Sequence, residues 1–376
     1  MKRAVLVSGD FVTTGGMDMP NYALAKHLAD SGILVQIVAH RVARDLTDHP
    51  NVAYYRVPKP FDSYFLGAPL LDRRGQRVAR ASSGPDSRIV VNGGNCQVGD
   101  VNWVHYVHAA FHPEQVGSLL SRAKGRVSRK LALEKERKTL KMARIAIVNS
   151  DRTRRDLTTL LDIDDALIRT VYYGIDPDRF SPASASDRQR LCSKFGWPNR
   201  PHVAFVGALG DRRKGFDTLY DAWSALCRQE SWDCNLIVVG RGAELPVWKA
   251  RAEGSGLAER IRFLGFRDDV PDVLAACDAL VAPTRYEAYG LGVQEALCTG
   301  LPALVSAHAG IAERYPPELE TLLLRDVDSA SELEASLKRW RQSADYLREQ
   351  TLALSVLLRQ RTWQTMAREI AEILNQ

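Results

Sequence analysis

The sequence predicts two doubly wound parallel α/β domains, and three observations carry that expectation. Short apolar runs recur at 4–7, 34–39, 52–57, 89–91, 103–107, 145–148 and 170–173, then again at 202–206, 236–239, 262–264, 279–282, 303–305 and 321–324. These runs are continuously apolar rather than alternating, as in strands covered on both faces by helices. A length of 376 residues suits two cores of roughly 150 to 200 residues each.

Composition narrows the class. Apolar content of 45% and charged content of 26% are those of a globular protein. The net charge is +6, and 39 of the 51 cationic residues are arginine, a balance that fits anionic substrates or membrane surfaces and by itself leaves nucleic acid open. The six cysteines show no C-x-x-C spacing and read as structural thiols of a reducing cytosol, with no metal site. The apolar run at 4–7 stops at Ser8-Gly9-Asp10, too short for a signal peptide, so it is a first strand. No window approaches 18 apolar residues, so no membrane span is expected and a cytoplasmic location is.

Taken in order, the first strand leads into Thr13-Thr14-Gly15-Gly16-Met17 and then a helix over 21–31 that buries Tyr22, Leu24, Ala25 and Leu28. Ligands of such sheets gather at the carboxyl ends of the strands, which puts this glycine turn at the functional edge. It lacks G-x-G-x-x-G, so a dinucleotide fingerprint is unsupported. Next, His105, His108 and His112 lie in or just beyond the strand at 103–107. Their i, i+3, i+7 spacing converges on one metal only in a helix. At a strand end, a neutral imidazole suits a hydrogen bond to a sugar hydroxyl. From Arg122 to Arg144 there are ten basic residues against Glu134 and Glu136. Val127, Leu131, Leu133, Leu140 and Met142 are expected to form a narrow buried stripe below a broad basic face. That face reads either as solvated surface or as a site for anionic lipid or an anionic acceptor. A polar stretch at 181–201, with prolines and serines, reads as the linker between the halves.

In the second half the first strand feeds Gly207-Ala208-Leu209-Gly210-Asp211-Arg212-Arg213-Lys214-Gly215 and then a helix. Cations at a helix N-terminus oppose its dipole, and a phosphate bound there offsets the cost. The strand at 279–282 runs into a turn with Gly290 and Gly292, flanked by Glu287 and Glu295. Backbone N–H groups at such a helix start suit a diphosphate, and the two carboxylates suit sugar hydroxyls.

Glu287 and Glu295 reproduce the E-x7-E spacing of retaining glycosyltransferases of the GT-B fold, and Tyr-Glu-Ala-Tyr-Gly-Leu resembles the donor loop of glycosyltransferase family 4, also called glycosyl transferases group 1. The resemblance extends through Gly174-Ile175-Asp176-Pro177-Asp178-Arg179-Phe180, with Tyr173 where the family has Asn, and through Val238-Val239-Gly240-Arg241-Gly242, Phe263-Leu264-Gly265-Phe266-Arg267 and Ala309-Gly310-Ile311-Ala312-Glu313. It implies two Rossmann-like domains facing across a cleft. An acceptor-side domain over 1–180 is completed by a C-terminal helix at about 355–376, and a nucleotide-sugar domain spans 202–354.

By the same resemblance, His108 and Glu287 are the catalytic residues, both gripping the donor sugar, with His105 as the alternate histidine. Gly15 and Gly16 reach the donor diphosphate, as do Lys214 and Arg213, with Arg212 as alternate. Backbone around Phe266 and Arg267 meets the base. Tyr289, Gly290, Leu291 and Gly292 form the donor loop, and Glu295 takes the ribose. The expected partners are a UDP- or GDP-sugar donor, a glycan, lipid-linked or small-molecule acceptor, and an anionic membrane at 122–144, but no nucleic acid. No cofactor or metal is expected, because Asp162-Ile163-Asp164 lies away from the donor elements and the cations can take the charge of the leaving diphosphate. Two other classes are weighed: a non-catalytic sugar-nucleotide-binding protein, which would lose His108 or Glu287, and another nucleotide-binding Rossmann enzyme, which should show G-x-G-x-x-G.

Overall fold

A computed structural model describes residues 1–113, 119–210 and 212–376, with the side chains of 119–124 also outside the description. Of the residues singled out above, Asp211 and the side chains of Arg122 and Lys124 therefore lie outside the described residues. The chain divides into two units, Met1–Gly174 with Arg361–Gln376, and Ile175–Gln360.

The first unit contains β1 (Arg3–Val7), β2 (Asp10–Phe11), β3 (Leu34–Ala39), β4 (Arg41–Val42), β5 (Val52–Arg56), β6 (Ser87–Val91), β7 (Val101–Val104), β8 (Ile145–Val148) and β9 (Ile168–Thr170). Seven of them form one parallel sheet in the order β5-β3-β1-β6-β7-β8-β9, and β2 pairs with β4 alone. Val5 stands between Gln36 and Ile89 in register, and Ala4 to Val7 are buried. This is the two-sided burial that the continuous apolar run implied. The strand order reverses between β1 and β6, so the loops after these strands open a crevice at the carboxyl edge.

The second unit adds β10 (His202–Val206), β11 (Asn235–Val239), β12 (Ile261–Gly265), β13 (Ala279–Ala282), β14 (Ala303–Ser306) and β15 (Leu323–Leu324), a parallel sheet in the order β12-β11-β10-β13-β14-β15. Its reversal falls between β10 and β13, the two strands that feed the basic turn and the donor loop.

The structure departs from the sequence reading at several ends. The strand expected to reach 107 stops at Val104, where its neighbour stops too, since Val104 pairs with Val148 at the end of β8. The strand expected at 170–173 is Ile168–Thr170, and the first half of that expected at 321–324 belongs to a 3₁₀ turn, Pro317–Leu322. The stretch 181–201 is folded into the second unit: helix Ala185–Lys194 is capped by Ser184, buries Leu191 and ties Arg188 to Asp278 and Lys194 to Asp272. The C-terminal return begins at Arg361 rather than about 355, because Leu354, Ser355 and Leu358 are buried in the second unit, where Ser355 donates to the Cys298 carbonyl at 2.6 Å. At the return, a Cβ on Gly174 would sit 2.4 Å from backbone of Thr362, a close approach that only glycine permits.

The buried stripe expected of helix Leu119–Met142 is also corrected. Val127, Leu131 and Met142 are 57%, 44% and 46% exposed, and the fully buried residues are Glu136, Thr139 and Leu140. Three apolar side chains of that stripe thus face water beside the cations, while a carboxylate faces in.

Candidate active site

In the second unit the site grows from the two loops at the β10/β13 reversal. The loop after β10 ends at Gly215, with φ +68°, where a Cβ would lie 1.9 Å from the Pro283 carbonyl oxygen. Only glycine lets the basic turn lie against the mouth of β13. Arg285 clamps the two loops. It donates to Asp217 at 2.8 and 2.9 Å, to the Arg212 carbonyl and, through Nε, to Asp328 at 2.6 Å. The clamp sets Arg213 and Lys214 beside Glu287: Lys214 Nζ forms an ion pair with Glu287 Oε2, and Arg213 lies 3.7 Å from the same oxygen while donating to the Tyr286 carbonyl at 3.2 Å. Three residues singled out separately in the sequence thus form one partly buried cluster of two cations and a carboxylate.

Gly290, with φ +113°, caps helix Leu291–Cys298, and a Cβ there would meet Ile311 at 2.8 Å. Around Gly292 nothing lies within 4 Å of the position a Cβ would take, which leaves room at the first turn, next to its N–H groups. Ile311 N–H donates to the Tyr289 carbonyl at 2.6 Å and so fastens the donor loop. The Tyr289 side chain is buried and its hydroxyl donates to Gln294, which leaves its backbone to serve the loop. Phe266, just beyond β12, is 59% exposed, with the Arg241 guanidinium 5.0 Å from its ring centroid, while Arg267 pairs with Asp269 at 2.5 Å.

Glu295, within helix Leu291–Cys298, has no hydrogen-bonding partner for its carboxyl among the described residues. Burial of that carboxyl pushes its pKa up to about 7, against a partial offset from Arg179. Part of the residue's surface stays accessible. Its raised pKa means that the folded state favours the protonated form: a penalty for the charge is present above about pH 7 and is relieved as pH falls toward the ordinary carboxyl range. Hydroxyl donors favour the ionised form instead. Affinity for a nucleotide sugar, whose diphosphate does not titrate here, is therefore expected to fall as pH drops through about 7. Glu295→Ala should weaken it by roughly 1 to 3 kcal/mol. Calorimetry across pH 5.5 to 8.5 checks this, and an unchanged slope in Glu295→Gln would count against the assignment.

In the first unit, His105 follows β7 directly and is buried. Its Nε2 lies 3.2 Å from Asn21 Oδ1, its Nδ1 2.5 Å from the Tyr173 hydroxyl, and its carbonyl accepts from Asn149 at 3.2 Å. Asn21 Oδ1 and the Tyr173 hydroxyl, which also accepts from Asn149 at 3.1 Å, fix the tautomer: Nε2–H donates and Nδ1 accepts. Burial drives its pKa down to about 3, so it is neutral. Tyr173, the departure from the family's Asn, is what this histidine is bonded to.

His108 opens the 3₁₀ turn His108–Ala110, and its side chain is 47% exposed. Glu136, wholly buried, accepts the His108 backbone N–H at 2.9 Å, its ring Nδ1–H at 2.9 Å and the Ala109 N–H at 3.3 Å. The His108 Nε2 has no hydrogen-bonding partner among the described residues. Glu136 and Arg285 were missed as positioning residues, as was Arg179, the charge beside Glu295. Gly15, with φ +104°, turns the chain into helix Asp18–Asp30, and Gly16 is open. The Asp18 carboxyl lies 2.8 Å from where a Gly15 Cβ would be, and burial, then the charge of Asp10, push it up to about 6. As a carboxylate it repels a phosphate, whereas in its protonated form it donates to one.

Two parallel-sheet α/β units, each with its reversal at the loop edge, define the GT-B class. Residues 14–179 match the model of Glycosyltransferase Family 4, and residues 200–342 that of Glycosyl transferases group 1. These two matches span most of the chain, which belongs to this glycosyltransferase family. A lipopolysaccharide core mannosyltransferase of Rhizobium meliloti is 36% identical over 162 residues, 41% of this chain and 43% of that one. Sucrose-phosphate synthase from Thermosynechococcus elongatus superimposes with a TM-score of 0.78 at 21% identity, covering 100% of this chain and 98% of that one. The Anabaena protein HepE, solved with UDP-glucose, gives 0.74 at 18% identity, covering 99% of each. The first curated relatives are matched over only 32 to 55% of their own length.

Proposed function

We propose that this chain moves a sugar from a nucleoside diphosphate, UDP or GDP, to a glycan, lipid-linked or small-molecule acceptor in polysaccharide or glycoconjugate synthesis, with retention of anomeric configuration. The observation that carries the reading is the meeting of Arg213, Lys214 and Glu287 at the β10/β13 reversal, beside the helix that starts after Gly290. As the bond from sugar to diphosphate breaks, negative charge builds on the leaving phosphate. Two cations and a helix N-terminus supply fixed positive potential for it. Glu287 holds Lys214 in place before the donor arrives and offers its carboxylate to sugar hydroxyls. His108, held by Glu136, accepts from a hydroxyl through Nε2. These residues meet the charge of the leaving group without a metal ion. The Rhizobium mannosyltransferase and the UDP-glucose complex of HepE support the acceptor class and the donor class.

We place the protein in the cytoplasm, at the inner face of the plasma membrane. No described helix is long and apolar enough to cross a membrane. The exposed Val127, Leu131 and Met142 beside Lys138 and Lys141 suit contact with an anionic surface, and binding to anionic but not neutral vesicles is the test of that contact.

The donor reading is tested by thermal shift against UDP-, GDP- and ADP-sugars. A ligand at one hundred times its Kd stabilises by about 2.7 kcal/mol, so the cognate nucleotide should raise the melting point by several degrees. A panel in which none does so overturns the reading.

A further inference from the structure

Beside the turn that carries His108, but on the flank of helix Leu119–Met142 away from its exposed apolar side chains, lies a cavity of about 420 Å³. Arg126, Arg129, Lys130 and Arg137 line it, with Ala109 and Leu133 as apolar wall. Glu134 is the one carboxylate in the lining, and His112 adds an imidazole at the rim. The cations are therefore in excess by three, four against one. Arg129 is committed in part, donating to the Phe111 carbonyl at 3.3 Å. Arg126, Lys130 and Arg137 make no ion pair with any carboxylate among the described residues.

Like charges gathered around one hollow repel one another, and the repulsion is relieved only by an anion or by their moving apart. Moving apart is open to side chains on a flat surface. Here the spacing of positions 126, 130 and 137 on one helix face keeps three of the cations aimed into the same space. Guanidinium groups bind phosphate oxygens bidentately, and the volume admits a phosphate or diphosphate together with part of what it is attached to. The apolar wall at Ala109 and Leu133 suits the carbon part.

We propose that this cavity is a binding site for the phosphate or diphosphate group of a phosphorylated molecule, separate from the nucleotide site in the second unit. Resting on the proposed transfer reaction, it is the place where the anionic head of the acceptor is held. Ala109 belongs to the turn that presents His108, and Glu136 holds that turn from the same helix. A ligand seated here and the histidine are thus braced by one element.

The test uses the full chain and inorganic pyrophosphate, followed by calorimetry at low salt. Arg126→Glu with Lys130→Glu reverses two charges inside the cavity. Lys138→Glu with Lys141→Glu makes the same charge change on the same helix outside it. All four side chains are exposed, so both variants should fold, and far-UV circular dichroism confirms it. Arg126→Gln alone serves if the first pair does not fold. The nucleotide loops are the same in every protein, so pyrophosphate bound there cancels in the comparison.

The expected result is a loss of roughly tenfold or more in pyrophosphate affinity for the cavity pair and little change for the outer pair. Equal losses in both pairs would mean general electrostatic attraction and overturn the site, as would a wild-type protein that binds neither pyrophosphate nor phosphatidic acid vesicles. Vesicles of phosphatidylcholine with and without phosphatidic acid identify the source. Binding that needs phosphatidic acid and is lost in the cavity pair assigns a lipid headgroup, whereas pyrophosphate binding without vesicle binding assigns a soluble phosphate. Because the readout is binding rather than sugar transfer, the cavity can fail while the transferase reading stands, and the reverse.

Discussion

Lys214→Ala is expected to lower turnover by ~100-fold or more while EDTA leaves the wild-type rate intact. The ammonium does two things that a replacement cannot. It neutralises Glu287, with which it is paired, and in the proposed reaction it stands with Arg213 where the charge of the departing diphosphate develops. Removing it leaves one cation, Arg213, to serve both the carboxylate and the phosphate. The loss should fall on the rate more than on nucleotide binding, because the charge on the leaving oxygen is larger in the transition state than in the bound donor. Strict dependence on magnesium or manganese, with Lys214→Ala nearly as active as wild type, would contradict the metal-free reading. Lys214→Arg is informative as well: the ion pair can be kept, but a planar fork replaces a point charge, so partial recovery is expected.

How much of this was legible in the sequence depended on whether a residue's role is local. Strands 34–39, 145–148, 202–206 and 279–282 are read to the residue, because burial on both faces writes itself as a nearly continuous apolar run, broken only by Gln36 and His202. The end of β7 is not, because it is fixed by where β8 stops. The basic turn was visible as cations opposing a helix dipole, and the glutamates of the donor loop as a pair flanking Gly290 and Gly292. Arg285 was not, since its carboxylate partners, Asp217 and Asp328, stand 68 and 43 residues away. Glu136 was counted as one of two acids in a run of ten cations. In that context a carboxylate reads as charge balance on a solvated face, and only the fold shows it buried beneath His108.

The two histidines after β7 are expected to separate cleanly. His108→Ala should cut single-turnover transfer by about two orders of magnitude while affinity for the bare nucleoside diphosphate stays near wild type, because in the proposed reaction its Nε2 contacts the reacting sugar and not the nucleotide. Glu287→Gln should show the same pattern, since the carboxylate is meant for sugar hydroxyls. Glu136 touches no substrate. Its replacement by Ala should resemble His108→Ala in rate, with addition of His108→Ala on top costing little more, the non-additivity expected of residues acting as a unit. His105→Ala is different in kind. It strips Asn21 and Tyr173 of a buried partner and should cost roughly 1 to 3 kcal/mol of stability. Once its lower melting temperature is allowed for, that variant should still transfer. The assignment of His108 fails if the His105 variant is folded yet dead while the His108 variant is active, for the sugar would then be read by the residue at the end of β7 and not by the turn that Glu136 holds.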